Sequence, residues 1–289
     1  MLEIHVTAYA KINLTLDVLG KRPDGYHHIE SVMQSVNLRD VVTVRQSEKG
    51  IAVRCSRPGV PCDQSNTAFK AARAFFEASG LSEQGIEIEI QKGIPMEAGL
   101  AGGSADAAAV LLALNRMFDE PLNLEQLSFA ALQVGADVPF CLVGGSMRAE
   151  GIGEKLTPLP QMPDCHLLLA KPWDGVSTAA AYAAVDQAAD LVHPELKRME
   201  QALQNGKLEQ VAPLCVNVFE RVLMREDVRL IKEEMARHGA LGACMSGSGP
   251  TVFGLFAEEA AAKRCRRILE GRETEVFLCS PVCQGCVVE

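Results

Sequence analysis

The residues best able to do chemistry fall in four separated places, and the densest is residues 93–110, GIPMEAGLAGGSADAAAV. Gly99, Gly102 and Gly103 let the backbone take positive φ and approach a ligand closely. Ser104 opens a helix of small residues, and the free N–H groups of a first helical turn form a site for an anion. The alternating run IEIEI at 86–90 reads as a strand just upstream, so strand, glycine loop and helix N-terminus follow one another as a phosphate cradle requires. No lysine follows the glycines, which excludes the G-x4-G-K-[ST] loop, and the spacing and downstream acid do not fit a dinucleotide fingerprint. The same residues also suit a tight turn ahead of a buried, Ala-rich helix, with Ser104 and Asp106 as ordinary capping and first-turn residues.

The other three places carry charge, aromatic faces or a second glycine turn. In AYAKINLTLDVLGKRPDGYHH (8–28), Lys11 and Asn13 share one face of a strand, and Pro23-Asp24-Gly25 supplies a turn before Tyr26 and His27. A lysine between Ala10 and Ile12 could also snorkel from a sheet edge. Asp137 stands between Gly135 and Pro139 where a new helix starts, a position that equally suits an N-cap aspartate. Ser246-Gly247-Ser248-Gly249 lies between two apolar runs and reads as a turn between strands.

Taken together, these segments resemble a known family. P-M-x-A-G-L-x-G-G-S-A-D-A-A at 95–108 resembles the ATP-binding motif of the GHMP kinase superfamily. K-I-N-L-x-L followed by R-x-D-G-Y-H, with G-A-D-V-P and the Ser246–Gly249 turn, is similar to the branch acting on a cytidine-diphosphate-linked methylerythritol. The likeness runs from Ala8 to about residue 256, with the motifs in the family's order. Ala101 departs from it, since most members carry glycine there. The resemblance implies transfer of the ATP γ-phosphoryl group, with Mg²⁺, to the C2 hydroxyl of that substrate. It implies Lys11 and Asp137 as the catalytic pair, Asp137 being the base. ATP would be held by Pro95, Met96, Glu97, Ala98, Gly99, Leu100, Ala101, Gly102, Gly103 and Ser104. Asn13 would lie beside the substrate, Tyr26 would stack on cytosine and His27 would hydrogen-bond to the cytidine. Tyr182, after the family-like G-V-S-T segment, would supply a second aromatic face, although a core tyrosine suits that helix nearly as well. Gly247, Ser248 and Gly249 would reach the transferred phosphate, and Ser104 is a possible Mg²⁺ contact. Two alternatives stand beside this reading. One is another kinase of the superfamily, of homoserine or mevalonate type, against which Tyr26 and His27 speak. The other is a catalytically silent nucleotide-binding protein, against which retention of Lys11 and Asp137 speaks.

The elements that must position these residues follow from periodicity. Strands are predicted at 11–19, 29–37 and 40–46, then a helix at 66–79 with Ala68, Ala71, Ala72, Phe75 and Phe76 on one side. After the strand at 86–90 come helices at about 104–117 and 124–133, the second ended by Gly135. Beyond a proline cluster (Pro158, Pro160, Pro163) lie a strand at 165–171, helices between 178 and 238, strands at 241–245 and 251–256, a helix at 258–270 and a strand at 275–279. Without regular βαβα alternation the order favours an α+β fold. It divides at the prolines into a nucleotide-binding domain, 1–157, and a substrate-binding domain, 158–289. The resemblance adds a left-handed βαβ crossover in the first domain, an αβ sandwich for the second, and an active site between them.

Composition limits the partners. With 289 residues, 48% hydrophobic and 22% charged, the chain has core material for two domains. Its net charge of −9 argues against nucleic acid or anionic membrane as partner, so anionic substrates must be held by local features. No apolar run is long enough to span a bilayer, and the N-terminus lacks the pattern of a secretory signal. Ten cysteines without such a signal imply free thiols in a reducing, cytoplasmic setting. Cys279, Cys283 and Cys286 form a C-x3-C-x2-C run that could bind a metal or cluster, but no fourth ligand is evident and no metal site is assigned. A monomer or homodimer is expected.

Overall fold

The computed structural model describes residues 2–48, 50–272 and 274–289. The first half contains β1 (Glu3–Lys21), β2 (His27–Ser47), β3 (Ile51–Cys55), α1 (Thr67–Ser79), β4 (Gly85–Gln91), α2 (Gly102–Met117), α3 (Leu124–Val134), α4 (Val138–Val143), β5 (Ser146–Gly151) and β6 (Lys155–Pro158). The second half begins with β7 (His166–Pro172), α5 (Thr178–Gln187), α6 (Leu196–Asn205), α7 (Leu208–Val211), β8 (Val216–Asn217), α8 (Val218–Leu223) and α9 (Glu226–Arg237). It closes with β9 (Gly242–Met245), β10 (Val252–Phe256), α10 (Glu259–Leu269), β11 (Thr274–Cys279) and β12 (Cys286–Val288).

Two sheets organise the chain. The first runs β12-β1-β2-β4-β3, with β5 and β6 continuing from β2 and β8 lying against β1. β3 and β4 pair in parallel across α1, so this segment is a βαβ unit. The second sheet is β11-β7-β10-β9, antiparallel throughout, with α9 and α10 packed on it. This is the expected α+β architecture.

β1 positions the site because it passes through both hydrophobic cores. Val6, Ala8, Ala10, Ile12 and Leu14 belong to the core under α1, α2 and α3, whereas Leu16 and Val18 belong to the core of the second sheet. Burial on both faces explains why nearly every residue from Val6 to Val18 is buried, where a strand with one solvated face would alternate. Lys11 and Asn13 therefore fall on the opposite face near the junction of the two cores. The β1–β2 register shifts between Asn13 and Thr15, a bulge that re-aims the strand just beyond the two polar residues.

Three expectations change. The strands predicted at 29–37 and 40–46 are one strand, β2, whose first part pairs with β5 through Gln34 and whose second part pairs with β4 from Val41. Its polar middle resembles a turn in sequence, but Asp40 there is buried and accepts hydrogen bonds from the Gly93 and Ile94 amides at 2.7 and 2.8 Å. Helix α2 begins at Gly102, two residues before Ser104, because the left-handed conformation of Ala101 already closes the loop. Finally, β8 and β12, from beyond the proline cluster, both join the first sheet.

The C-terminal cysteines are divided between the sheets, Cys279 ending β11 and Cys286 beginning β12. Among the described residues no group of three His, Cys, Asp or Glu side chains is placed to hold a metal ion. No helix is long and apolar enough to cross a membrane.

Candidate active site

The residues expected to be catalytic, to bind ATP or substrate, or to reach the transferred phosphate all line one cleft of about 1310 Å³. Lys11 and Asn13 come from β1, Tyr26 from the β1–β2 connection, His27 from the start of β2, and residues 95–104 from the loop into α2 and its first turn. Asp137 stands at the start of α4, Tyr182 on α5, and Gly247, Ser248 and Gly249 between β9 and β10.

Hydrogen bonds tie three of these segments together. The Lys11 amide donates to the Leu100 carbonyl at 3.1 Å. The Asn13 amide donates to Ser246 Oγ at 3.3 Å, and that hydroxyl donates to the Gly99 carbonyl at 2.9 Å. Asn13 Oδ1 accepts from Lys11 Nζ at 2.8 Å and from the Gly247 amide at 3.0 Å, while its Nδ2 donates to Ser31 Oγ at 2.8 Å. Asn13, expected beside the substrate, thus spends both ends of its amide inside the protein, holding the Lys11 ammonium and the Gly247 turn in register. Gly99 must be glycine here: its φ is +72, and a Cβ would overlap the Ser246 carbonyl oxygen.

Lys11 is buried, and its ammonium lies 3.5 Å from Asp137 Oδ2, whose side chain keeps 34% exposure. Asp137 occupies the N-cap position of α4 but makes no capping hydrogen bond, its backbone being αR. Its carboxylate is therefore available to a ligand, one side held by the lysine and the other open to the cleft. The C-terminal strand supports this arrangement from behind. The Tyr9 amide of β1 donates to the Gly285 carbonyl at 2.9 Å, and Gly285 packs so tightly on α4 that a Cβ would overlap the Cys141 carbonyl oxygen.

The glycine loop is built at a conformational cost. Glu97 and Ala101 both have positive φ, +50 and +58, in the region that L-residues with a Cβ avoid. A glycine at position 101 would adopt this conformation without the strain that Ala101 bears. Beneath the loop, Lys92 Nζ donates to Asp40 Oδ2 at 2.5 Å and to Asp106 Oδ2 at 2.8 Å, all three side chains being buried. Burial opposes the Lys92 charge, but Asp106 and Asp40 outweigh it and hold the ammonium above its ordinary range. Burial pushes the Asp106 carboxyl up, Lys92 opposing and Asp40 adding to the rise. Its Oδ1 has no hydrogen-bond partner among the described residues.

At the other end of the cleft Tyr26 is 59% exposed and His27 is buried. The His27 ring stacks on Tyr182, with centroids 4.6 Å apart and planes at 22°, and Tyr182 meets Phe219 edge-on at 5.0 Å. Burial pushes the Tyr182 hydroxyl up to about 12, so it stays protonated. His27 Nε2 lies 2.7 Å from Asp186 Oδ1, and Lys21 Nζ lies 3.1 Å from Asp186 Oδ2. The hydrogen bond from His27, then that from Lys21, holds the Asp186 carboxyl below its ordinary range.

Several of these residues escaped the sequence reading. Asp186 lies four residues after Tyr182, a spacing that puts both on one helical face, and that signal could have found it. Asn217 gives no comparable signal. Its Nδ2 donates to the Met245 and Gly247 carbonyls at 2.7 and 2.8 Å, and its Oδ1 caps α8 through the Phe219 amide at 2.9 Å. Lys92, Asp40 and the C-terminal strand likewise become functional only through long-range contact.

Comparison with known proteins agrees with this geometry. Residues 66–145 match the GHMP kinases N terminal domain, and residues 199–273 match the GHMP kinases C terminal domain. The chain is 46% identical over 279 residues to a 4-diphosphocytidyl-2-C-methyl-D-erythritol kinase of Desulfitobacterium hafniense, covering 96% of this chain and 95% of that protein. A similarly named kinase of Clostridium botulinum is 42% identical over 277 residues, covering 95% and 99% of the two chains. Among solved structures, a 4-(cytidine 5'-diphospho)-2C-methyl-D-erythritol kinase superposes with a TM-score of 0.81 at 31% identity, covering 96% of this chain and 98% of that one. A homoserine kinase from Cytophaga hutchinsonii shares the fold, with a TM-score of 0.80 at 21% identity, covering 99% and 97%.

Proposed function

The chain belongs to the GHMP kinase family and is an ATP-dependent small-molecule kinase, and from that premise we propose that it phosphorylates the C2 hydroxyl of 4-diphosphocytidyl-2-C-methyl-D-erythritol in isoprenoid precursor synthesis. The observation that carries this reading is one cleft with a glycine loop and helix N-terminus at one end, a His27–Tyr182–Tyr26 cluster at the other, and the Lys11–Asp137 pair lining the same cleft. The names of the two relatives and of the solved kinase support the substrate.

In this proposal the amides of residues 99–104 and the first turn of α2 hold the ATP phosphates, offsetting the negative charge of the whole chain. Asp137 accepts the proton of the C2 hydroxyl and orients its oxygen toward the γ-phosphorus. Lys11, positioned by Asn13 against that carboxylate, neutralises charge as the phosphoryl group passes between oxygens. The turn at Gly247, Ser248 and Gly249 closes on the phosphate from the second sheet. Mg²⁺ would arrive with the triphosphate and neutralise phosphate charge. Ser104 and Asp137 offer it single oxygens rather than a carboxylate cage, which suits an ion that keeps ligands from phosphate and water. Tyr26, with Tyr182 behind the His27 ring, supplies aromatic surface for cytosine, and His27 supplies a polar edge. The protein works in the cytoplasm, where all its substrates are small molecules.

The test is product identity. Purified protein is given ATP, Mg²⁺ and the cytidine diphosphate substrate, with homoserine and mevalonate in parallel, and ADP release and phosphorus NMR of the product are followed. A new phosphate monoester at C2 supports the proposal. Turnover of homoserine or mevalonate alone would assign a different acceptor within the same family.

A further inference from the structure

Two contacts hold the His27 ring in different ways. The stack on Tyr182, backed by Phe219, fixes its plane, and the contact from Nε2 to Asp186 fixes its rotation and its proton. An ionised carboxylate only accepts hydrogen bonds, so in the neutral imidazole the single N–H must sit on Nε2. Lys21 pairs with the other oxygen of Asp186 and helps keep the carboxylate charged. Nδ1 is then left with a lone pair, on a side chain that lines the cleft, and it has no hydrogen-bond partner among the described residues.

That tautomer has a chemical consequence for the base it meets. Cytosine presents a 4-amino donor, whereas uracil presents a 4-oxo acceptor at the same place. A fixed acceptor on the protein satisfies the first and confronts the second with another lone pair. We propose that Asp186 is a positioning residue for base selection: by accepting a hydrogen bond from the Nε2–H of His27 it leaves Nδ1 as an acceptor on the cleft wall, so the site prefers an amino-pyrimidine to an oxo-pyrimidine. The inference rests on the cytidine reading of the cleft. It makes Asp186 responsible for discrimination between bases through His27.

The experiment compares equilibrium binding of CDP and UDP by calorimetry at pH 8, above the range where imidazoles ordinarily charge, with a non-hydrolysable ATP analogue filling the glycine loop. The wild type should favour CDP by at least ~10-fold, the scale on which a correctly aimed polar group discriminates. In Asp186→Asn the amide can donate to Nε2 and move the ring proton to Nδ1, so the preference should shrink to within about threefold while affinity for the ATP analogue is unchanged. Lys21→Met removes the neighbouring ion pair but leaves the carboxylate, and should retain the preference. An Asp186→Asn variant that discriminates as well as wild type overturns the inference. So does a Lys21→Met variant that loses the preference equally, since anchoring of the segment rather than the imidazole proton would then be responsible. Because binding is read without turnover, failure of the kinase assay and failure of this inference are separate results. A kinase active on the cytidine substrate with no base preference sinks only the inference.

Discussion

Replacing Asp137 by asparagine separates chemistry from structure in one step, because the side chain keeps its shape and loses its charge and basicity. The Lys11–Asp137 pair is separated by 3.5 Å. At an effective dielectric of about 20 the gross attraction at that distance is about 5 kcal/mol. The Asp137 side chain is 34% exposed, so solvent screens much of it, and Lys11 keeps its hydrogen bond to Asn13 Oδ1. The net stability at stake is therefore about 1–2 kcal/mol, or a fall of about 2–6 °C in Tm for a chain of this size. Catalysis should suffer more. Loss of a positioned base costs about 10²–10⁴ in rate, equivalent to about 3–5 kcal/mol of barrier. The glycine loop makes no hydrogen bond to Asp137, so the KM for ATP should stay within about threefold. The assay is ADP release at saturating substrates, with a melting curve on the same preparation. A folded variant whose kcat stays within tenfold of wild type would remove Asp137 as base. A large rise in both KM values with kcat preserved would show that the residue shapes the cleft and does not take the proton.

Three further outcomes follow from particular features. Ala101→Gly relieves a left-handed residue with φ of +58 and should raise stability by about 0.5–1 kcal/mol after allowing for the freer unfolded chain, seen as a higher Tm; a lower Tm would mean that packing of the methyl group outweighs the strain. The Asp106 carboxyl is pushed up to about 8 by burial, so the folded state holds a proton that the unfolded chain releases near pH 4. Its stability contribution is thus full below about pH 4 and lost as pH rises through about 8. Asp106→Asn keeps the uncharged form, so its advantage in denaturant unfolding should grow from pH 5 to pH 8 and reach on the order of 1–3 kcal/mol, the usual cost of an orphaned buried polar atom; a difference independent of pH would refute this account. Asn217→Ala removes both side-chain bonds to the Met245 and Gly247 carbonyls and the cap of α8, and should cost about 2–4 kcal/mol by urea unfolding while raising the KM for ATP; a loss below about 1 kcal/mol would show that the turn needs no such support.

Much of the site was legible in the chain because its motifs are local. A glycine that must take positive φ at Gly99, a helix that opens directly after the glycine loop, and two polar residues at strand period on Lys11 and Asn13 are short-range requirements of backbone geometry, readable without knowing the rest of the fold. The same locality made the helices at 67–79 and 124–134 readable, each with an asparagine cap that accepts from its own first turn. The gap expected between the strands at 29–37 and 40–46 misled for the opposite reason, since the charged Arg39–Asp40 step interrupts the apolar pattern. A charged residue in the middle of a strand looks like a turn until Lys92 and the Gly93 and Ile94 amides, more than fifty residues away, neutralise it.

By itself the sequence determined which side chains are candidates for phosphoryl transfer, the order in which they occur and the α+β class of the domains that carry them. Only the tertiary structure decided how those side chains are held. Asn13 is committed to Lys11 and Gly247, the C-terminal strand braces α4 behind Asp137, and Asp186 meets Nε2 of His27. Apart from the Lys11–Asn13 bond, each of these is a contact between residues distant along the chain. Such contacts form where packing of the two cores brings polar groups out of water and obliges them to find one another, and no local pattern records which partner each will meet.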